Sequence, residues 1–192
     1  MKRVTRINLG VAAFALLAFF PAGALAQHFS EWSSPVSLGP TINTTFFEVC
    51  PSVTKDGLSL YFGSPRSGGF GNVDIYVSKR SSTNDPWGTP QNLGPTINSL
   101  FVDNCPFVTP DGHTLIFLSN RPGGSGGIDL YVSSRRNKRD DFAWEAPDPL
   151  AAINTPSNEF GPSGYEDEET GDFVLFFTSD RPGGLGGPDI YI

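Results

Sequence analysis

Methionine occurs once in this chain of 192 residues, cysteine and histidine twice each, and charged residues make up only 17 %. Each shortage excludes something. The two histidines, His28 and His113, are far apart, which argues against a His-rich zinc or manganese centre. The cysteines, Cys50 and Cys105, form no Cys-x-x-Cys, so neither a thioredoxin-like redox site nor a zinc ribbon is supported. Gly123 to Gly127 formally matches the Gly-x-Ser-x-Gly nucleophile elbow, but that device needs a later histidine and both precede Ser125. The longest apolar run, Leu9 to Phe20, is 12 residues and too short to cross a bilayer, which takes about 18 or more.

Backbone punctuation is abundant instead. Twenty-two Gly and 17 Pro rule out long helical bundles, while 16 Phe and 38 % apolar residues supply a packed core. The expected class is all-β.

Lys2, Arg3 and Arg6 precede the apolar run, and Pro21 and Ala24-Leu25-Ala26 follow it, the layout of a cleaved signal peptide over residues 1–26. The chain is therefore expected outside the cytoplasm, periplasmic or secreted, without membrane insertion. Residues 27–192 carry 10 basic against 20 acidic side chains, a net charge of −10. That balance argues against nucleic acid and anionic membranes and favours a basic or neutral partner, or a cation.

The same residues display three repeats with a period near 55. Trp32, Trp87 and Trp144 lie 55 and 57 apart; Asn43, Asn98 and Asn154 lie 55 and 56 apart, as do Pro51, Pro106 and Pro162. Asp74, Asp129 and Asp189 are separated by 55 and 60, which places an insertion in the acidic stretch Ser163 to Thr170. Approximate repeat boundaries are 32–86, 87–143 and 144–192. Within a copy, Pro110-Asp111-Gly112 joins two apolar runs as a hairpin turn, and a Gly-rich connection leads to the alternating Ile128 to Val132. A fourth short strand is expected near Trp87 to Leu93. Four evenly spaced strands per unit is the pattern of a β-propeller blade.

Thr109 to Phe117 and Ser179 to Tyr191 resemble the WD-like β-propeller repeats of the TolB type, and the resemblance covers Trp32 to Ile192. It implies a bacterial, periplasmic protein whose usual role is protein interaction, without a cofactor. The third copy departs from the pattern: Glu169-Thr170-Gly171-Asp172 stands where the Pro-Asp-Gly turn is expected. Three blades cannot close a ring, which takes about four to eight. Either the chain is part of a longer product, or two copies form a six-bladed homodimer. The first is favoured by an end one residue after Tyr191, where earlier copies continue past Tyr76 and Tyr131 as Val-Ser.

Three sets of residues are candidates for function. Glu48, Asp103 and Glu159 each stand three residues before the repeat proline, on what resembles the innermost strand of a blade. They would ring the mouth of a central channel and attract a cation or basic peptide, or else cap local backbone N–H groups, the more economical reading. Arg66 with Asp74, Arg121 with Asp129 and Arg181 with Asp189 are expected as ion pairs stapling the Gly-rich loop. Cys50 and Cys105 occupy equivalent positions and would bond only if those positions approach within about 7 Å near a narrow axis. The functional expectation is a non-catalytic interaction module binding a protein or peptide. The alternative is a carbohydrate-active propeller enzyme using the channel carboxylates as acid and base.

Overall fold

A computed structural model describes residues 32–192; the signal-peptide segment lies outside the described residues. No helix occurs among the described residues, and none is long and apolar enough to cross a membrane. Eleven strands form three antiparallel sheets within the compact unit Val36–Ile192. The first sheet is β1 (Val49–Val53), β2 (Ser59–Ser64), β3 (Asp74–Lys79) and β4 (Gln91–Asn92), paired in that order. The second repeats it with β5 (Asp103–Val108), β6 (Thr114–Ser119), β7 (Asp129–Ser134) and β8 (Asp148–Pro149). The third has β9 (Glu159–Glu166), β10 (Phe173–Ser179) and β11 (Asp189–Tyr191), with β11 at its outer edge. The architecture is all-β, a partial propeller of three sheets, and the Trp87 and Trp144 segments lead into the outer strands β4 and β8.

Local chemistry explains the hairpins. In the second sheet the Gly112 N–H donates to the Thr109 carbonyl at 2.8 Å, while Asp111 accepts from Thr109 Oγ1 at 2.6 Å and from the His113 N–H at 3.0 Å. Thr54, Asp56 and Gly57 build the same turn in the first. The third sheet reaches a hairpin without Pro-Asp-Gly: Asp167 accepts from the Glu169 and Thr170 N–H groups, and the Gly171 N–H donates to the Asp167 carbonyl at 2.7 Å. A side-chain cap thus replaces the turn dipeptide.

The central strands do not alternate in burial. All six residues of β2 are buried: Tyr61 faces the second sheet, while Leu60 and Phe62 on the other face are covered by Ile42 and Trp87. Tyr61, Ile75, Val77, Leu115, Phe117 and Trp144 form the main core between the first and second sheets. A smaller cluster, Leu118, Leu130 and Phe177, joins the second to the third.

The inner strands β1, β5 and β9 lie side by side, and each bends at the same place. β1 shifts register between Val49 and Ser52, β5 between Asn104 and Phe107, and the β9–β10 pairing between Phe176 and Thr178. The residue at each bend has left-handed backbone: φ is 51° at Cys50, 48° at Cys105 and 52° at Gly161. Only glycine adopts that conformation without strain, so the first two copies hold a side chain where the third has none.

Candidate functional site

Cys50 and Cys105 are bonded to one another, with Cα atoms 4.7 Å apart. The bend in each inner strand brings the two equivalent positions together, which settles the alternative left open by spacing alone. Cys50-Pro51, Cys105-Pro106 and Gly161-Pro162 line a common cleft of about 400 Å³ between the three inner strands.

The three carboxylates expected at the channel mouth are turned into the protein. Glu159 and Asp103 are fully buried, and Glu48 is largely so. Each receives an arginine: Arg66 reaches Glu48 at 3.0 Å, Arg121 reaches Asp103 at 2.5 Å and Arg181 reaches Glu159 at 3.2 Å. Each also accepts from a backbone N–H and a hydroxyl four residues upstream, at Thr44, Ser99 and Thr155. The guanidinium is held in turn by stacking against two aromatic rings, Phe62 and Tyr76, Phe117 and Tyr131, or Phe177 and Tyr191. It donates as well to the carbonyl of Ile42, Ile97 or Ile153.

This arrangement corrects the expected ion pairs. Arg66, Arg121 and Arg181 pair with Glu48, Asp103 and Glu159, not with Asp74, Asp129 and Asp189. The aspartates close the Gly-rich loop by accepting from its backbone: Asp74 from the Phe70 and Gly71 N–H groups, Asp129 from Ser125 and Gly126, Asp189 from Leu185. An eight-residue spacing across a loop is compatible with side chain meeting side chain. The loop's own N–H groups are nearer and must be satisfied once buried.

Electrostatics follow the geometry. Burial pushes the Glu48 carboxyl up, but hydrogen bonds from Thr44 and Ser64 and the charge of Arg66 outweigh it and hold the group below the usual range. Such a carboxyl stays ionised and is unsuited to donate a proton as a general acid, which needs a raised pKa. Asp74 moves the other way, raised by burial despite the N–H donors of Phe70 and Gly71.

One buried polar network was missed in the sequence. Asp141 is 1 % exposed and accepts from Tyr61 Oη at 2.5 Å, Arg135 Nη1 at 2.7 Å, Ser59 Oγ at 2.8 Å and Lys79 Nζ at 2.9 Å. It reaches from the connection after β7 into the first sheet and ties two sheets together. Burial raises the Asp141 pKa, but the four donors overcome it and leave the carboxyl below its ordinary value. The Tyr61 hydroxyl is driven strongly up, by burial first and by the Asp141 charge second. Asp141 has no counterpart among the repeated residues, so no periodic signal marked it.

No family model matches the chain, and no curated protein matches it. Among solved structures, it is similar to TolB from Acinetobacter baumannii, with a TM-score of 0.51 and 18 % identity over 79 % of this chain. An alpha-L-arabinofuranosidase from Lactobacillus brevis aligns at a TM-score of 0.45 and 16 % identity over 73 % of this chain. The aligned region spans 30 % of the TolB chain and 48 % of the arabinofuranosidase chain. At these identities the likeness to TolB speaks for the fold: the sheets of this chain are of the β-propeller type.

Proposed function

We propose that the chain is an exported, non-catalytic interaction module of the TolB type that binds protein through the open faces of its arc of sheets, a second copy being the partner. One observation carries this reading: the two junctions inside the arc are built identically, and both halves of a third such junction stand exposed. At the first junction the Ile75 N–H donates to Asn98 Oδ1 at 2.8 Å, Asn98 Nδ2 donates back to the Ile75 carbonyl at 2.9 Å, and the Asp103 N–H donates to the Val73 carbonyl at 2.9 Å. At the second, Leu130 and Asn154 exchange the same pair at 2.9 Å each, and the Glu159 N–H donates to the Ile128 carbonyl at 2.9 Å.

The third set is Ile190, Pro188 and Gly186 on one side and Asn43, Phe46 and Glu48 on the other. Ile190 is 77 % exposed where Ile75 and Leu130 are fully buried, and Phe46 and Phe47 are about half exposed. Asn43 Nδ2 already bonds Ser37 Oγ at 3.0 Å, as Asn98 Nδ2 bonds Asn92 Oδ1 at 2.8 Å. Asn43 of one copy is thereby matched to the backbone of Ile190 in another, and Leu38 to the open edge of β11. Joining two open faces also removes an exposed strand edge, which otherwise invites indiscriminate pairing.

Export is supported by the leader-like residues 1–26 and by the Cys50–Cys105 bond, which suits an oxidising compartment. The carbohydrate-active alternative is disfavoured because its carboxylates are already held by Arg66, Arg121 and Arg181.

Light scattering on the purified chain tests the reading, with a dimer mass as the expected result. Gly186 provides the discriminating variant. A Cβ at Gly71 would lie 2.0 Å from the Phe101 carbonyl oxygen and one at Gly126 1.8 Å from that of Ser157, whereas at Gly186 nothing lies within 4 Å. Gly186→Ala should leave the circular dichroism and Tm of the single chain unchanged and convert the dimer to monomer. A monodisperse wild-type monomer, or a G186A dimer of undiminished affinity, refutes the second-copy interface.

A further inference from the structure

Ten lysines and arginines follow residue 26, and three of them, Arg66, Arg121 and Arg181, are consumed in the sheet ion pairs. Six of the other seven line a single cleft of about 410 Å³: Lys55, Lys79, Arg80, Arg135, Lys138 and Arg139. The cleft lies at the hairpin end of the first and second sheets, the opposite end of their strands from the arginine–carboxylate motif. In a protein with twice as many acidic as basic side chains after residue 26, nearly all the cationic charge not committed to the repeat is gathered at one place.

The acids nearby offset only part of it. Asp56 and Asp111 line the same cleft but face their own turns, accepting from Thr54 Oγ1 and the Leu58 N–H and from Thr109 Oγ1 and the His113 N–H. Asp141 takes up Arg135 Nη1 and Lys79 Nζ. Among the described residues, Lys55, Arg80, Lys138 and Arg139 are in no ion pair. A second observation points to a ligand: Arg135 is 2 % exposed and borders the cleft, yet its Nη2 has no hydrogen-bond partner. A buried guanidinium N–H left unpaired is costly, and its charge adds to the positive field at the cleft. Arg135 itself is fixed, by Nε donating to the Gly112 carbonyl at 2.8 Å and by stacking 4.1 Å from the Trp144 ring.

We propose that this cleft binds a compact, multiply charged phosphate group, with Arg135 at its floor and Lys55, Lys138 and Arg139 at its rim. Flexible lysine ammonium groups serve as point charges for phosphate, and a cleft lined by six cations and two carboxylates keeps a net positive field on its ligand. The neighbouring cleft limits the ligand's size. It shares Lys55 and Pro110 but adds Glu166, Asp167 and Glu168 from the third sheet, which repel the continuation of an extended polyanion such as a nucleic-acid strand. The cleft is complete within one copy, so this site stands or falls separately from the ring.

Isothermal titration of the purified chain with pyrophosphate at low salt and at 0.15 M is the test, beside sedimentation with phosphatidylcholine vesicles with and without phosphatidylglycerol. Lys138→Glu reverses a charge at the rim; Arg136→Glu makes the same change in net charge at an exposed residue outside the cleft. Binding of pyrophosphate that weakens at least tenfold in K138E and less than twofold in R136E supports a small soluble phosphate ligand. Binding only to the anionic vesicles, with the same contrast between variants, supports the phosphate of a lipid headgroup. No binding to millimolar pyrophosphate or to either vesicle, or equal losses in the two variants, overturns the proposal.

Discussion

Removing the carboxylate of Asp141 should be among the most damaging single changes in the chain. Its oxygens accept from Tyr61, Arg135, Ser59 and Lys79 at 2.5 to 2.9 Å, and it is the partner that neutralises Arg135, whose side chain is fully buried. Asp141→Ala leaves that guanidinium charged without compensation. Breaking a buried pair in this way costs about 3–5 kcal/mol. The Tyr61 hydroxyl, also buried, loses its acceptor at the same time. A whole domain is stable by roughly 5–15 kcal/mol, so the loss is a large share of the total. Equilibrium unfolding in urea at pH 7 should show the midpoint falling by about 2 M, taking a slope near 2 kcal/mol/M, with the slope itself unchanged. The pair Arg135→Met with Asp141→Leu should be more stable than D141A alone, because no buried charge remains; Lys79, half exposed, can turn to water. A D141A loss below about 1 kcal/mol would refute the reasoning. So would a double variant that loses as much as the two single variants summed.

The pH dependence of stability follows from the same group. The folded Asp141 carboxyl lies below its ordinary value of 3.8, as Glu48 lies below its 4.5. Their contribution is present in full above those unfolded values and is lost as pH falls through the lower folded ones; a Tm that rises on acidification below pH 4 would contradict this. The Cys50–Cys105 bond spans 55 residues, and on the chain-entropy account its removal should cost about 4 kcal/mol, read as a fall in Tm on reduction. A reduced chain with an unchanged Tm would show that the bond adds nothing. Because both cysteines have left-handed backbone, C50G/C105G should be more stable than C50A/C105A, by about 1 kcal/mol per site. The reverse order in urea would sink that account.

The third hairpin shows where turn chemistry stopped being legible. Glu169-Thr170-Gly171-Asp172 carries no familiar turn signature, yet the hairpin closes because Asp167 caps two N–H groups. Long-range partners were harder still. Spacing placed Arg66 nearer in sequence to Asp74, eight residues away, than to Glu48, 18 residues away, but the first sheet folds Arg66 and Glu48 onto each other beside the Ile42 carbonyl. Composition is also silent on the placement of charge: a net excess of acid says nothing about where the few cations lie, and the hairpin ends of two sheets collect six of them.

Periodicity by itself determined the all-β class, the three repeats and the equivalence of their residues, because identical local chemistry must recur wherever one supersecondary unit is copied. Only tertiary structure decided that Cys50 meets Cys105, that the repeated carboxylates are spent on arginines, and that Asp141 clamps two sheets. Those outcomes depend on distances between segments remote in the chain, set by how strands bend and pack rather than by the order of residues along them.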